Sequence, residues 1–321
     1  MLDESNTLEV SVIVITYNQN IDKLTKTLDS IIAQELISYE IIVCDDGSDN
    51  PPKTQIESYF ISKNFSGYTL CFHEKNRGTV LNYYSGLLLA KGKYSKLISP
   101  GDYFSENTIL SRWVKFMEKN EAEWSFSDTY YYRNENGIGT FFKAKAHPQI
   151  THPYIEMDKS RCMWNYVSYN DIANGAAILG KTYIQMQFCK IITEGNVKYT
   201  EDSIYSLMSL QGIVGYYFPE AAICYEYGTG VSASRNRMWQ EKLIKDRNRL
   251  IQIMLDEKDI PNQHKKMVDS FITINKKNKF RKLFVKGYLF YWIKYHFHPR
   301  LTKIPEQNET IYIIVPNTQR Q

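Results

Sequence analysis

Residues 10–18 read Val-Ser-Val-Ile-Val-Ile-Thr-Tyr-Asn, and five of the first six are β-branched. A nearly unbroken run of that kind marks a strand covered on both faces, as in a parallel sheet. Thr16, Tyr17 and Asn18 then end it. Working outward, Leu24, Leu28, Ile31 and Ile32 recur at helical spacing, and Glu40 to Cys44 (EIIVC) reads as a second buried strand closed by the turn DDGSDNPP. A helix from about Lys53, a strand near Thr69 to His73, a helix from Val80 to Ala90 and a strand from Tyr94 to Ile98 continue the series. Ser105 is placed to cap the next helix, ahead of a strand at Trp124 to Phe126. The alternation predicts an α/β fold, a Rossmann-like, mostly parallel sheet flanked by helices.

Beyond residue 130 the pattern changes. From about Asn134 to Asp158 it weakens into Gly, Pro and His, which predicts a loop or domain edge. Residues 160–235 form a second block with fewer clear strands, and 236–300 read as mainly helical, ending in FRKLFVKGYLFYWIKYHFHPR. A short YIIV strand is a further reading for the tail. The expected division is a first domain over 1–235, with halves at about 9–130 and 131–235, and a helical, basic and aromatic C-terminal region over 236–321.

With 321 residues, 43% of them hydrophobic, the chain can bury a sizeable core, and extended disorder is excluded. Five scattered cysteines without C-x-x-C spacing argue against a disulfide framework or a zinc site, leaving buried, inert thiols. The opening MLDESNTLEV lacks a basic segment followed by an apolar one, so the expected location is cytoplasmic. No run of about 20 apolar residues predicts a spanning helix. The net charge of +4 is local: Lys265 to Lys303 holds 11 Lys/Arg and one acid, against 28 basic and 34 acidic residues elsewhere. Lys279, Lys282 and Lys286 recur beside Phe280, Leu283, Phe284, Leu289 and Phe290, a pattern that suits an amphipathic helix on an anionic membrane surface through 276–300. The competing expectation is a helix packed on the core. No nucleic-acid-binding motif accompanies the patch, so no nucleic-acid partner is expected.

In an open parallel sheet, ligands bind beyond the carboxyl ends of the strands. Three polar clusters fall there: Thr16-Tyr17-Asn18, Asp45-Asp46-Gly47-Ser48 and Ser99-Pro100-Gly101-Asp102. A tyrosine face can stack on a nucleobase and an aspartate can accept its imide N–H, which together suit uracil. The bland alternatives are sheet capping for Tyr17 and ordinary turn geometry for Asp45, Gly47 and Ser48. Thr200-Glu201-Asp202 can likewise be read as a capped helix start.

Through VSVIVITYN, IIVCDDGSDN, NRGTVLNYYSGLLLAKGKY, SPGDYF and YTEDSIY, residues 9 to 235 resemble the family 2 glycosyltransferases of the GT-A fold, of the kind that builds bacterial surface glycans. Asn76, Gly78, Gly86, Ala90, Gly92 and Tyr94 match that family's loop-helix-strand pattern. The resemblance implies a nucleotide-sugar site formed by Thr16, Tyr17, Asn18, Asp46, Arg77, Gly78, Ser99, Gly101 and Asp102, with Asp102 on a divalent metal, Mn²⁺ or Mg²⁺. It implies Asp202 as the base, with Glu201 beside it, Trp164, Asn174 and Gly175 on the acceptor side, and inversion at the anomeric carbon. It also implies that Tyr225 to Ser232 forms a loop over the bound donor. The implied acceptor is a glycan, lipid-linked or protein-linked. One departure stands out: where the family carries Asp-x-Asp-Asp, this chain reads Ser99-Pro100-Gly101-Asp102. A single carboxylate can serve alongside phosphates and water, or basic groups such as Arg77, Arg235 and Arg237 can take over the charge. A catalytically inactive nucleotide-binding homologue is the alternative function.

Overall fold

The computed structural model describes residues 8–135, 138–229, 236–256, 262–275, 282 and 284–305. Strand β1 (Val10–Thr16) is followed by α1 (Ile21–Ile32), β2 (Tyr39–Asp45), α2 (Lys53–Ser62), β3 (Tyr68–Phe72), α3 (Thr79–Leu89) and β4 (Tyr94–Ile98). These four strands lie in the order β3-β2-β1-β4 and pair in parallel, as the alternation predicts. The sheet continues through β8 (Ile178–Lys181), β6 (Trp124–Glu135), β9 (Tyr216–Glu226) and β5 (Tyr103–Phe104), with β7 (Ile138–Phe142) pairing β6. Pairing there is mixed: β8 runs antiparallel to both β4 and β6, whereas β9 runs parallel to β6.

Alternate residues of β1 feed opposite faces. Val10, Val12 and Val14 join Leu24, Leu28, Phe60 and Trp113 in one buried cluster, while Ile13 and Ile15 join Val80, Tyr83, Phe188 and Ile204 in the other. Helix α1 starts where Asn20 Oδ1 accepts the backbone N–H of Asp22 at 2.7 Å, and α4 (Ile109–Lys119) buries Ile109, Leu110, Trp113 and Met117. Ser105 does not cap α4. Its N–H donates to the Ala222 carbonyl, extending the β5–β9 pairing, and Thr108 holds the cap position without a side-chain bond.

The expected loop from 134 is instead the β6–β7 hairpin up to Phe142, followed by the short helices α5 (His152–Ile155) and α6 (Lys159–Met163). Next come α7 (Thr182–Glu194) and α8 (Ser203–Leu210), and then α9 (Arg237–Asp256), α10 (Asn262–Asn275) and α11 (Tyr288–Phe297). Leu250, Met254, Met267 and Val268 of α9 and α10 sit in the same buried cluster as Ile13. Beyond α11, Arg300 and Thr302 pair with Ala144 and Ala146. No described helix is long and apolar enough to cross a membrane. Four of the five thiols are buried, and Cys71 is half-buried. The YIIV segment, Lys279, Phe280 and Leu283 lie outside the described residues.

Gly92 shows how closely the parallel half is packed. A β-carbon there would stand 2.5 Å from Ser11 N and 2.5 Å from the Val10 carbonyl carbon, both backbone atoms that cannot turn aside. Gly92→Ala is expected to destabilise the chain by about 1–3 kcal/mol, read as a lower denaturation midpoint in urea.

Candidate active site

Because β1, β2 and β4 run parallel in register, Thr16 standing opposite Asp45 and Val14 opposite Ile98, their carboxyl ends open at one edge. A cleft of about 580 Å³ lies there, lined by Thr16, Tyr17, Asp46, Gly78, Ser99 and Asp102 from that edge. Asn174, Gly175, Glu201 and Asp202 line it from the later half. Six segments far apart in sequence thus share one cavity.

Asp46 is 3% exposed and ties the edge together. Its N–H donates to the Thr16 carbonyl, while its two carboxylate oxygens accept the N–H groups of Arg77 at 2.8 Å and Gly78 at 2.9 Å. Burial raises its pKa, and those two N–H groups oppose the shift. Gly78 has φ of +98°, a conformation that favours glycine, and its N–H is one of the two that Asp46 holds. Tyr17, 42% exposed, lines the cleft.

Asn18 does not line the cleft. It links the two edge loops, its N–H donating to Ser48 Oγ and its side chain pairing with Asp49. Asp45 accepts from Ser48 N and Oγ, so Asp45, Gly47 and Ser48 form the turn that the bland reading expects. Arg77 contributes its backbone; its side chain is exposed and does not line the cavity. Trp164, at the start of the π-helical turn of residues 164–168, packs against the main core and against Tyr169, Ile274 and Tyr288, and does not line the cleft.

Glu201 and Asp202 precede α8, and Asp202 occupies its N-cap position without making a side-chain cap bond, unlike the capped helix start expected of Thr200. The Glu201 carboxylate accepts the Thr79 hydroxyl at 2.6 Å. Burial, followed by repulsion from Asp202, raises the Glu201 pKa to about 7, and burial raises that of Asp202 as well. Gly175 stands beside Asp202: a β-carbon there would lie in ordinary contact, 3.4 Å from Asp202 Cβ. Behind them, Gln185 accepts the hydroxyls of Tyr83 at 2.6 Å and Tyr205 at 2.5 Å and donates to Ser95 and Gly180, fastening α8 to α3, α7 and the sheet.

Lys23 and a stripe of α9 line the cleft from outside the sequence-derived set. Lys23 of α1 forms an ion pair with Glu226 at the end of β9, which the resemblance places in the covering loop. Tyr225 and Glu226 therefore belong to a strand, and the proposed covering loop begins only after them; Gly230 to Arg235 lie outside the described residues. Trp239, Leu243, Arg247 and Leu250 line the cleft from α9, whereas Arg237 is exposed and pairs with Glu241. Their spacing of four, four and three is a helical stripe visible in the sequence, with an arginine set among apolar residues. Asp246 fixes α9 by accepting the N–H groups of Lys198 and Tyr199, just ahead of Glu201.

The carboxylates at the Ser99–Asp102 turn are Asp102 and Glu226. Asp102 is 5% exposed, and its Oδ1 accepts the Glu226 N–H at 3.1 Å. Burial pushes its pKa up to about 7, against the pull of that N–H and of the Lys96 and Lys23 ammonium groups. Gly101 does not line the cleft; its N–H donates to Thr27 Oγ1 and its carbonyl accepts the Tyr132 hydroxyl. Among the described residues no group of three or more His, Cys, Asp or Glu is placed to hold a metal ion.

Comparison with known proteins gives the following. The model of Glycosyl transferase family 2 matches residues 11–172. An uncharacterized glycosyltransferase of Rickettsia felis is 32% identical over 149 residues, which are 44% of this chain and 23% of that protein. The Escherichia coli UDP-Glc:alpha-D-GlcNAc-diphosphoundecaprenol beta-1,3-glucosyltransferase WfaP is 26% identical over 177 residues, 55% of this chain and 62% of that one. The chain spans about a fifth of the length of the Rickettsia relatives it matches. Among solved structures, the Pyrobaculum calidifontis mannosyltransferase PcManGT, in complex with GDP-Man and Mn²⁺, superposes with a TM-score of 0.59 at 13% identity, covering 90% of this chain and 76% of that one. That likeness is one of fold, of the GT-A type.

Asp46→Ala is expected to free the 76–78 loop, since two N–H groups lose a charged acceptor. Hydrogen exchange at Arg77 and Gly78 should accelerate, and stability should fall by about 1.5–3 kcal/mol.

Proposed function

The chain belongs to glycosyl transferase family 2, and on that premise we propose that it is an inverting transferase moving a sugar from a UDP-sugar onto an acceptor hydroxyl. The observation that carries this reading is the shared cavity: Tyr17, Asp46, Asp102 and Asp202 line one cleft. Tyr17 and the Asp46 edge receive the base, and the Ser99–Asp102 turn receives the ribose and diphosphate. The acceptor enters along Asn174, Gly175 and α8.

Asp202 takes the proton of the acceptor hydroxyl as its oxygen attacks the anomeric carbon. The bond to the diphosphate oxygen breaks on the opposite face, and a nucleoside diphosphate leaves carrying the electron pair. Asp202 and Glu201 stand side by side, half-buried in the cleft wall, so their protons come off as a pair, and the raised pKa makes the base stronger than an exposed carboxylate. A divalent metal is implied by the family. The residues do not fit one here, because Asp102 and Glu226 are both already partnered and Lys23 occupies the turn.

The acceptor we propose is a surface-glycan precursor, lipid-linked in the manner of the WfaP acceptor named above. The exposed side of α11 supports a site on an anionic membrane surface: Leu289, Phe290, Ile293 and Phe297 are exposed, while Tyr288 and Tyr291 pack inward on Tyr169. Lys286 and Lys303, before and after α11 in the sequence, are exposed. The alternative of a catalytically inactive homologue draws on the reduced Ser99-Pro100-Gly101-Asp102 motif alone.

Asp202→Asn is expected to lower kcat by about 10²–10⁴-fold while leaving UDP affinity unchanged, measured by nucleotide release and calorimetry. Wild-type kcat/KM should fall as pH drops through about 7, where the Glu201–Asp202 pair takes up a proton. Thr79→Val removes a bond that favours the ionised form, so that acid limb should move to higher pH. Phe290→Glu with Phe297→Glu should abolish co-sedimentation with phosphatidylglycerol vesicles; retained binding would remove the membrane from the proposal.

A further inference from the structure

Lys23 and Arg247 are the two basic residues lining the cleft among those described, and Lys23 stands at the Ser99–Asp102 turn. Its ammonium is paired with Glu226 Oε2. Gly101 has φ of +103°. A β-carbon on it would overlap Glu226 Oε2 and Lys23 Cε and stand 3.0 Å from Lys23 Nζ. A side chain at position 101 would be strained by the backbone conformation and would have to displace the ion pair. Thr27, one helical turn along α1 from Lys23, holds the Gly101 N–H at 2.9 Å, so the same helix that carries the ammonium fixes the turn.

The one exposed-edge ammonium at the turn is already on a carboxylate: Lys23 pairs with Glu226, while the fully buried Lys96 donates to the Leu97 and Ala176 carbonyls. A divalent cation needs hard oxygen donors with charge to spare, and here the Glu226 carboxylate is taken up by Lys23 while Asp102 is buried and holds the Glu226 N–H. A lysine has three donors and a flexible stem. It can keep one on Glu226 and turn the others to phosphate oxygens. Its side chain is 24% exposed.

We propose that Lys23, anchored by Glu226 beneath the Ser99–Asp102 turn, meets the donor's diphosphate in place of a divalent ion, so that nucleoside diphosphates bind without metal. This deepens the proposed function and rests on its nucleotide-donor reading.

The test is calorimetric titration of the full chain with UDP and with uridine, in EDTA and in Mn²⁺. UDP affinity is expected to differ by less than about threefold between the two conditions. Lys23→Met should weaken UDP by about tenfold or more in EDTA and leave uridine within about threefold, with Lys23→Arg restoring most of the loss. Should the methionine variant not fold by circular dichroism, Lys23→Gln serves. Loss of UDP binding by tenfold or more in EDTA, or indifference to the Lys23 substitutions, overturns the proposal. Failure of UDP, GDP, ADP and CDP to bind under either condition removes the nucleotide-donor reading itself, and this inference with it.

Discussion

The parallel register of β1 against β2 and β4 is the constraint on which the site depends. In such a ladder every strand delivers its carboxyl end to one edge, so Thr16, Asp45 and Ile98 finish side by side although they are far apart in the chain. The loops after them must then share a small volume. Asp46 resolves that crowding by accepting two backbone N–H groups from the loop ahead of α3 while donating its own N–H to β1. Backbone groups that would otherwise be buried without partners are satisfied by one carboxylate.

The other wall is held by polar contacts inside an apolar layer. Gln185 gathers the hydroxyls of Tyr83 and Tyr205 and donates to Ser95 and Gly180, so the start of α8 cannot shift relative to the sheet without leaving several groups unpaired. Asp246 does the same for α9 through the N–H groups of Lys198 and Tyr199. Glu201 and Asp202 lie between these two fastenings, in surroundings dry enough to raise both pKa values. Burial and proximity, which cost stability for two carboxylates, are the features that make a strong base.

Much of the parallel half was legible because its signals are local. Buried parallel strands are runs of β-branched residues, and β1 through β4 fell within a residue or two of their expected bounds. β9 was missed. Pro219 interrupts it, and the register with β6 slips at that point, Ser127 facing Phe218 while Asp128 faces Ala221. A proline without an N–H is accommodated by that irregularity, which no short-range pattern reveals. The β6–β7 hairpin was masked by its glycines. Helix α9 was expected, yet the inward face carrying Trp239 and Arg247 was not, since a stripe does not say what it faces.

The sequence by itself determined the alternation of strand and helix, the polar clusters at the strand ends, and the departure of residues 99–102 from the family's acidic motif. These follow from residue types within a few positions of one another. Only the tertiary structure decided that Asn18, Arg77 and Trp164 stand outside the cleft and that α9 stands within it. Likewise, only the fold brings Lys23 to Glu226, 203 positions later. The ion pair depends on α1 packing against β5, which pairs with the end of β9, and that distance is set by packing of the whole sheet, which neither residue encodes alone.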